Sequence, residues 1–413
     1  MTHVFDCDAG KTALTSPDIQ RFERRATDHG PGRLDADQLM ELALRRAGRR
    51  DFSDHSFIEP FKRLLKAYEQ EADLSRFGLR AVKFDMLRCL ANLLRLDQAE
   101  EADPGIVARQ IQAPIFITGL PRSATTFLHT LIAQDPAFAA PRCWQSIYPY
   151  PAHVMGVNLR RIEVEFQFAM FRFLSPGVSA LHPLAADTPQ ECTDITAQVF
   201  QSLRFDTTYR IPSYQSWLDD HGHCDAFRFH RRFLQHLDAQ APGHRWVLKS
   251  PDNVFALDAI REAYPDARIV FLHRDPLSVV ASCVKLAELL RRPFTNHIDR
   301  DELGDQVSSR LVESTTEMAE AAERDPGILH LHYRAVVAKP METVRALYEH
   351  CGMTLSGEAE ARMRHWLRTP RKHRHARYSL EEFGLNARDL RRRFARYMQD
   401  FNVTPEASAV RMH

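Results

Sequence analysis

Four short, strongly apolar runs, each followed by a helical pattern, constrain the fold of this chain more than any other feature. Turn residues bound each run, and buried strands that alternate with helices are typical of a parallel sheet covered on both faces. We therefore predict an α/β fold of this kind. The predicted strands are Ile115–Thr118, Trp246–Leu248, Arg268–His273 and Ile328–His332, and the helices that follow them are 125–133, 253–264, 276–291 and 341–350.

Helical patterns precede and interrupt the predicted sheet. Apolar residues recur at helical spacing from 36 to about 100, and residues 151–240 lack strand-like runs. We predict a helical N-terminal region, 1–112, that packs on the core. The α/β domain is predicted to cover 113–413 and to carry a helical insert at 151–240.

The composition of the chain disfavours several classes of protein. The net charge of +1 gives no general reason to expect a nucleic-acid partner. No stretch approaches the ~18 consecutive apolar residues of a membrane span, and the N-terminus lacks a signal-peptide pattern. The seven cysteines include no CxxC pair, which favours reduced thiols and a cytoplasmic location. The histidines and cysteine of 221–224 are spaced too closely for a four-ligand zinc site, so no metal is expected there.

The loop after the first predicted strand, GLPRSATT at 119–126, has the composition of an anion-binding turn. A turn from a strand into a helix directs backbone N–H groups and the helix dipole at a ligand. The loop departs from the nucleoside-triphosphate pattern GxxxxGK[ST], because Ala124 replaces the second glycine and Thr125 replaces the lysine. A plain alternative is a turn in which Thr125 or Thr126 caps the helix. Arg122 argues against it, since a guanidinium among N–H donors and hydroxyls favours a tetrahedral oxyanion.

Two further predicted strands also end in a cation and a hydroxyl. Lys249 and Ser250 follow one strand, whereas Arg274 ends another and Ser282 stands eight residues later, in the next helix. Taken singly, each cation has a plain alternative, as a surface lysine or as an arginine paired with a nearby acid. However, the carboxyl ends of parallel strands meet at one edge of a sheet, where such folds bind ligands. We therefore predict that these groups join Arg122 in one anion site.

Taken together, the motifs resemble those of sulfotransferases that use 3′-phosphoadenosine-5′-phosphosulfate (PAPS), most closely the bacterial branch of that superfamily. The resemblance extends from about residue 60 to 405 and implies a P-loop-like parallel sheet with helices on both sides. This is the fold class that the periodicity predicts independently. The matching stretches are GLPRSATTFLH, DTPQEC, WVLKSPDN, VFLHRDPLSVVAS, LHYRAVVAKP and RYSLEEFGL.

The resemblance implies a role for each motif. Arg122 and Lys249 would stabilise the charge on the leaving phosphate, and the loop 123–126 would hold the 5′-phosphate. The spacing of Arg274 and Ser282 matches the family's 3′-phosphate site. The implied nucleotide contacts are Arg122, Ser123, Ala124, Thr125, Thr126, Arg274, Ser282, Tyr333, Arg371, His375 and Tyr378, the last three from a basic segment, 365–380, that would close as a lid.

Two departures from the family pattern affect the expected chemistry. Ala124 stands where the family loop has a glycine, and Gln145 stands where many relatives carry a glutamate. A glutamine side chain cannot act as a base, so the proton of the acceptor needs another receiver. Glu191, in DTPQEC, is our first candidate for that general base, and His182 and His129 are the alternatives.

The expected activity is transfer of the sulfuryl group from PAPS to a hydroxyl or an amine of a small-molecule, lipid or carbohydrate acceptor. No metal is expected, because the sulfuryl group carries less charge than a phosphoryl group. The alternatives are a non-catalytic nucleotide-binding protein on a degenerate P-loop fold and a kinase-like phosphotransferase, which the missing GK[ST] disfavours. Aromatic residues of the insert, among them Phe166 and Phe173, fit an apolar acceptor, although such residues more often belong to a core. A homodimer is an expectation for the assembly.

Overall fold

A five-stranded parallel sheet forms the centre of the protein, in a computed structural model that describes residues 34–181, 185–369 and 379–406. The strands are β1 (Ile115–Gly119), β2 (Phe138–Ala139), β3 (His153–Val154), β4 (Val157–Asn158), β5 (Arg245–Lys249), β6 (Arg268–His273) and β7 (Leu329–His332). The sheet has the order β2-β5-β1-β6-β7, whereas β3 and β4 form a separate antiparallel hairpin. The predicted α/β fold class is confirmed. The edge strand β2 escaped prediction because two residues are too few to make an apolar run.

Helices precede the sheet, connect its strands and make up the predicted insert after its first residues. The prediction of an all-helical insert missed the β3–β4 hairpin, whose strands are only two residues long. Before β1 lie α1 (Ala36–Ala47), α2 (Ile58–Glu71) and α3 (Arg76–Ala102). Between β1 and β5 lie α4 (Thr125–Ile132), α5 (Cys143–Ile147), α6 (Leu159–Leu174), α7 (Val178–Leu181), α8 (Cys192–Thr196), α9 (Arg204–Thr208), α10 (Pro212–His221) and α11 (Cys224–Gln240). After β5 follow α12 (Leu257–Ala263), α13 (Pro276–Arg291), α14 (Arg300–Arg324), α15 (Tyr333–Ala338), α16 (Pro340–His350), α17 (Gly357–Arg368), α18 (Ala387–Arg393) and α19 (Ala395–Asp400).

The central strand β1 is buried along its whole length, with β5 on one side and β6 on the other. Its last residue, Gly119, lies opposite Leu272 in β6 and has a φ of +111°. A Cβ atom at this position would lie 2.5 Å from the carbonyl oxygen of Leu272. The close approach of the two strands therefore requires a glycine where the chain leaves the sheet and enters the first motif.

The N-terminal helices pack on the sheet and on the insert. Residues of α2 and α3, such as Leu64 and Met86, belong to the same buried apolar cluster as Phe116 of β1. Asp85 of α3 also accepts hydrogen bonds from Arg88 and from Arg204 of the insert. These contacts fit the predicted packing of the N-terminal region, and the boundary at residue 112 stays a prediction. Within the described part of the chain, the structure contains no helix with the length and apolarity that a bilayer span requires.

Candidate active site

The loop from β1 to α4 has a strained backbone at two residues. Arg122 and Ala124 have φ values of 62° and 72°, in the left-handed region that favours glycine. Ala124 is the N-cap of α4, and its side chain makes no capping hydrogen bond. Capping by Thr125 or Thr126 is therefore not what the structure shows, because α4 has already begun at Thr125. Its first N–H groups face the loop, as an anion site at a helix N-terminus requires.

Arg122 joins the loop to the insert and to the helix after β6. Its Nε donates to the hydroxyl of Ser282 in α13 at 3.2 Å, and its Nη1 donates to the carbonyl of Leu181 at 2.5 Å. Ser282 thus faces Arg122, whereas the sequence predicted it beside Arg274. The next residue, Ser123, is buried and donates its hydroxyl to the carbonyl of Leu120. Of the two threonines that follow, the first is buried and the second is exposed.

Lys249, at the end of β5, is buried and paired. Only 2% of its side chain is exposed, and its Nζ donates to the carboxylate of Glu191, which precedes α8. An ammonium so deep in the protein requires a partner charge, so the interpretation of Lys249 as a surface lysine is excluded. The structure therefore brings together the predicted cation and the first candidate for the base. Glu191 retains 21% of its side-chain exposure and lies on the outer side of the pair.

Arg274 forms a bidentate ion pair with a carboxylate. Its Nε and Nη2 donate to the two oxygens of Glu406 at 2.7 and 2.9 Å, and its Nη1 donates to the carbonyl of Arg122 at 2.6 Å. Its guanidinium lies 3.9 Å from the ring centre of Tyr333, a predicted contact at the start of α15. Ser278, in the first turn of α13, also donates to Glu406 at 3.1 Å. This corner of the site therefore already binds an oxyanion, which belongs to the protein itself.

His129, the alternative base that the structure describes, differs sharply from Glu191. His129 is fully buried, and its Nε2 bonds the carbonyl of Val247 at 3.1 Å. Burial, with a further contribution from the charge of Lys249, lowers the pKa of His129 to about 3. A base with so low a pKa has little proton affinity at neutral pH. Gln145 caps the start of α5, since its side-chain oxygen accepts from the backbone N–H of the N-cap residue Arg142 at 3.0 Å.

Four predicted residues lie outside the part of the chain that the structure describes. They are the alternative base His182 and the predicted lid contacts Arg371, His375 and Tyr378. Two residues of the site, Ser278 and Glu406, were not predicted from the sequence. Ser278 had a usable signal, because it lies four residues before Ser282 and so on the same face of α13. Glu406 had none, since it meets Arg274 across 132 residues of chain.

Comparison with known proteins shows which family this chain belongs to. A model of the sulfotransferase family matches residues 114–357, which is more than half of the chain and contains each of the three strand-end motifs. The chain belongs to this family. The match begins at β1 and ends beyond α16, so the family's share of the protein contains the whole parallel sheet.

Two solved sulfotransferase structures resemble this one over most of its length. Sulfotransferase STF1 from Mycobacterium tuberculosis is 30% identical, with a TM-score of 0.77 over 87% of this chain and 98% of its own. Sulfotransferase STF9 from Mycobacterium avium is 26% identical, with a TM-score of 0.82 over 92% of this chain and 100% of its own. The curated omega-hydroxy-beta-dihydromenaquinone-9 sulfotransferase Stf3 of Mycobacterium bovis is 27% identical over 247 residues. That match spans 58% of this chain and 63% of the relative's length.

Proposed function

We propose that this protein is a sulfotransferase that moves the sulfuryl group of PAPS to the hydroxyl or amine of an acceptor. The observation that carries the proposal is that three cations with neighbouring hydroxyls lie at one edge of the parallel sheet. They are Arg122, Lys249 and Arg274. Arg274 already binds a carboxylate, that of Glu406, together with the hydroxyl of Ser278. Such a set of cations and hydrogen-bond donors suits a ligand with several phosphate groups.

The donor would lie along this edge with its two phosphate positions separated. The loop 123–126 and the N-terminus of α4 would bind the 5′-phosphosulfate, and Arg274 with Tyr333 would bind the 3′-phosphate. Ser282 would contact the nucleotide beside Arg122, to which it is hydrogen-bonded. The predicted lid, 365–380, would supply Arg371, His375 and Tyr378. The cytoplasmic location, the independence from a metal and the homodimer stay predictions.

The pair of Glu191 and Lys249 suggests how the proton transfer and the departure of the leaving group are coupled. The acceptor oxygen attacks the sulfur, its proton passes to Glu191, and the electron pair of the broken S–O bond stays on the phosphate of the product nucleotide. Lys249 holds Glu191 before the donor binds. Once the Lys249 ammonium turns to the leaving phosphate oxygen, it neutralises the negative charge that develops there. The Glu191 carboxylate is then released to accept the proton.

A titration with the desulfated product, 3′-phosphoadenosine-5′-phosphate (PAP), tests the proposal. We expect calorimetry to show much tighter binding of PAP than of adenosine-5′-phosphate. Arg274→Ala should weaken the binding of PAP by about tenfold to a hundredfold, in line with the ~1.5–3 kcal/mol of a charged hydrogen-bonded contact, and leave the affinity for adenosine-5′-phosphate unchanged. Equal affinities for the two nucleotides would rule out the proposed 3′-phosphate site. ATP that binds more tightly than PAP would support the phosphotransferase alternative.

The acceptor, we further propose, is an apolar alcohol. The insert helix α6 exposes large apolar side chains on one face, among them Phe166, which is 57% exposed, and Phe173, which is 83% exposed. After α6, the hydroxyl of Ser175 donates to the carbonyl of Leu289 at 2.7 Å, and the carbonyl of Leu181 accepts a hydrogen bond from Arg122. The apolar face is thus connected to the loop through a short, anchored segment. The relative Stf3 is named for a menaquinone derivative, which is a lipid-like alcohol.

A further inference from the structure

The contact between Glu406 and Arg274 is the feature that the proposed function leaves unexplained. A carboxylate that takes up the Nε and Nη2 of one arginine and the hydroxyl of a serine leaves that fork no free face for a second anion. Burial alone would raise the pKa of Glu406, but the hydrogen bond and the charge of Arg274 outweigh it and keep the pKa below its usual value. The carboxylate is therefore ionised at neutral pH.

The segment that carries Glu406 is held by a few polar contacts beyond a firmly packed anchor. The anchor ends at Val403, which is buried and whose N–H bonds the carbonyl of Met398 at 2.9 Å. Beyond it, the carbonyl of Pro405 accepts from Arg334 at 2.6 Å, and the N–H of Glu406 donates to Asp275 at 2.8 Å. Displacing residues 404–406 therefore breaks these contacts and the ion pair without disturbing the apolar core.

We propose that Glu406 is a built-in competitor of the nucleotide, whose carboxylate occupies the position of the 3′-phosphate until the donor displaces it. The inference rests on the proposed function, since it takes Arg274 as the 3′-phosphate site. A phosphate has a larger charge than a carboxylate and three acceptor oxygens, so it can win the exchange. The apparent affinity for the nucleotide is the intrinsic affinity multiplied by the fraction of protein in which the segment is displaced. The competitor thus weakens retention of the product PAP as well as binding of PAPS.

The test is a calorimetric titration of PAP into the full chain and its Glu406→Gln variant, which removes the charge and keeps the size of the side chain. We expect the variant to bind PAP about tenfold more tightly and to bind adenosine-5′-phosphate unchanged. Glu342→Gln, which neutralises an exposed glutamate on α16, is the matched control and should change neither affinity. In an Arg274→Ala background, Glu406→Gln should no longer tighten binding, because the competitor has lost its partner.

Unchanged or weaker binding of PAP by Glu406→Gln overturns the inference and makes Glu406 a residue that only positions Arg274. If Arg274→Ala still weakens PAP in that case, the proposed function survives. If Arg274→Ala has no effect either, the 3′-phosphate assignment fails with it. Hydrogen exchange gives a second readout, because the N–H of Glu406 is bonded in the free protein. Its exchange should accelerate when PAP is added, and slower or unaltered exchange contradicts displacement.

Discussion

At the scale of single residues, Ala124 is the clearest departure of the loop from an unstrained backbone. A residue with a Cβ atom at a φ of 72° is strained by roughly 1–2 kcal/mol, and glycine relieves that strain at some entropic cost. We expect Ala124→Gly to raise the free energy of unfolding by about 0.5–1 kcal/mol. Urea denaturation followed by circular dichroism measures the change.

Ala133 supplies the matched control for this substitution. It is the C-cap of the same helix and has a φ of −64°, where alanine is unstrained. Ala133→Gly should therefore lower the stability, by up to about 1 kcal/mol. Destabilisation by both glycines to the same extent would show that the loop backbone stores no strain.

Glu191 carries the prediction on the base. We expect Glu191→Gln to lower kcat by about a hundredfold to ten-thousandfold and to leave the affinity for PAP nearly unchanged, because the proton moves only as the acceptor attacks. The rate of the native protein should fall at acidic pH, where a carboxylate base becomes protonated, and this limb should vanish in the variant.

The competing bases make this prediction sharp. His182→Gln and His129→Gln are the comparison variants, and each should retain the acidic limb. If the limb persists in Glu191→Gln and disappears in either histidine variant, a histidine is the base. Because Lys249 would lose its partner charge, the thermal midpoint of Glu191→Gln should be measured beside its rate.

How far the sequence predicts the site depends on whether the partners are local. Arg122, Lys249 and Arg274 were predictable because each follows an apolar strand, and strand ends converge at one edge of a parallel sheet. The burial of Lys249 was not predictable, since its partner Glu191 comes from a distant turn of the insert. Glu406 lies farther still in sequence, and no local pattern marks it.

At the scale of elements, the insert was predicted as helical, but the face that it exposes was not. Spacing alone does not distinguish a stripe that faces the core from one that faces solvent. In α6 both occur, since Phe168 packs against the buried cluster of Trp144 and Tyr148, whereas Phe166 and Phe173 are exposed. The alternative interpretation, that these aromatic residues belong to the core, therefore holds for only part of the helix.

The exposed face of α6 yields a prediction on the acceptor. We expect the double variant Phe166→Ser/Phe173→Ser to lower kcat/KM for a long-chain alcohol about tenfold or more, because apolar contacts with the acceptor are lost. The affinity for PAP should not change. Val107→Ser is the control, since Val107 is a 45% exposed apolar residue outside the insert. An equal loss with a short, polar alcohol would contradict an apolar binding face.

At the scale of the whole molecule, ion pairs connect the N-terminal helices to the turn that carries Glu191. Arg204 bonds Asp85 of α3 at 2.7 Å and Asp194 of α8 at 2.9 Å, so one arginine joins the two elements. No local sequence pattern marks this connection, because Arg204 and Asp85 lie more than a hundred residues apart. The N-terminal helices thus help to hold α8, which directly follows the proposed base Glu191.

Asp85 makes this connection measurable through pH. Burial opposes its ionisation, but the charges of Arg204 and Arg88 outweigh burial and lower its pKa to about 2, from the 3.8 of an unperturbed aspartate. A carboxyl with a depressed pKa in the folded state stabilises the protein above the unfolded value, and the stabilisation is lost as the pH falls from about 4 to about 2. For a shift of this size the stabilisation is about 2 kcal/mol at neutral pH.

We therefore expect Asp85→Asn to lower the stability at pH 7 by about 3 kcal/mol, because it also leaves two arginines without their shared partner. Below pH 4, urea midpoints of the variant should fall less steeply than those of the native protein. Asp37→Asn is the control, since it breaks an exposed pair with Lys62 and such pairs contribute little. Parallel pH profiles for the Asp85 variant and the native protein would mean that this ion-pair cluster does not govern acid unfolding. A variant that keeps its fold at neutral pH should still lose turnover, because α8 and Glu191 are no longer fixed against the N-terminal helices.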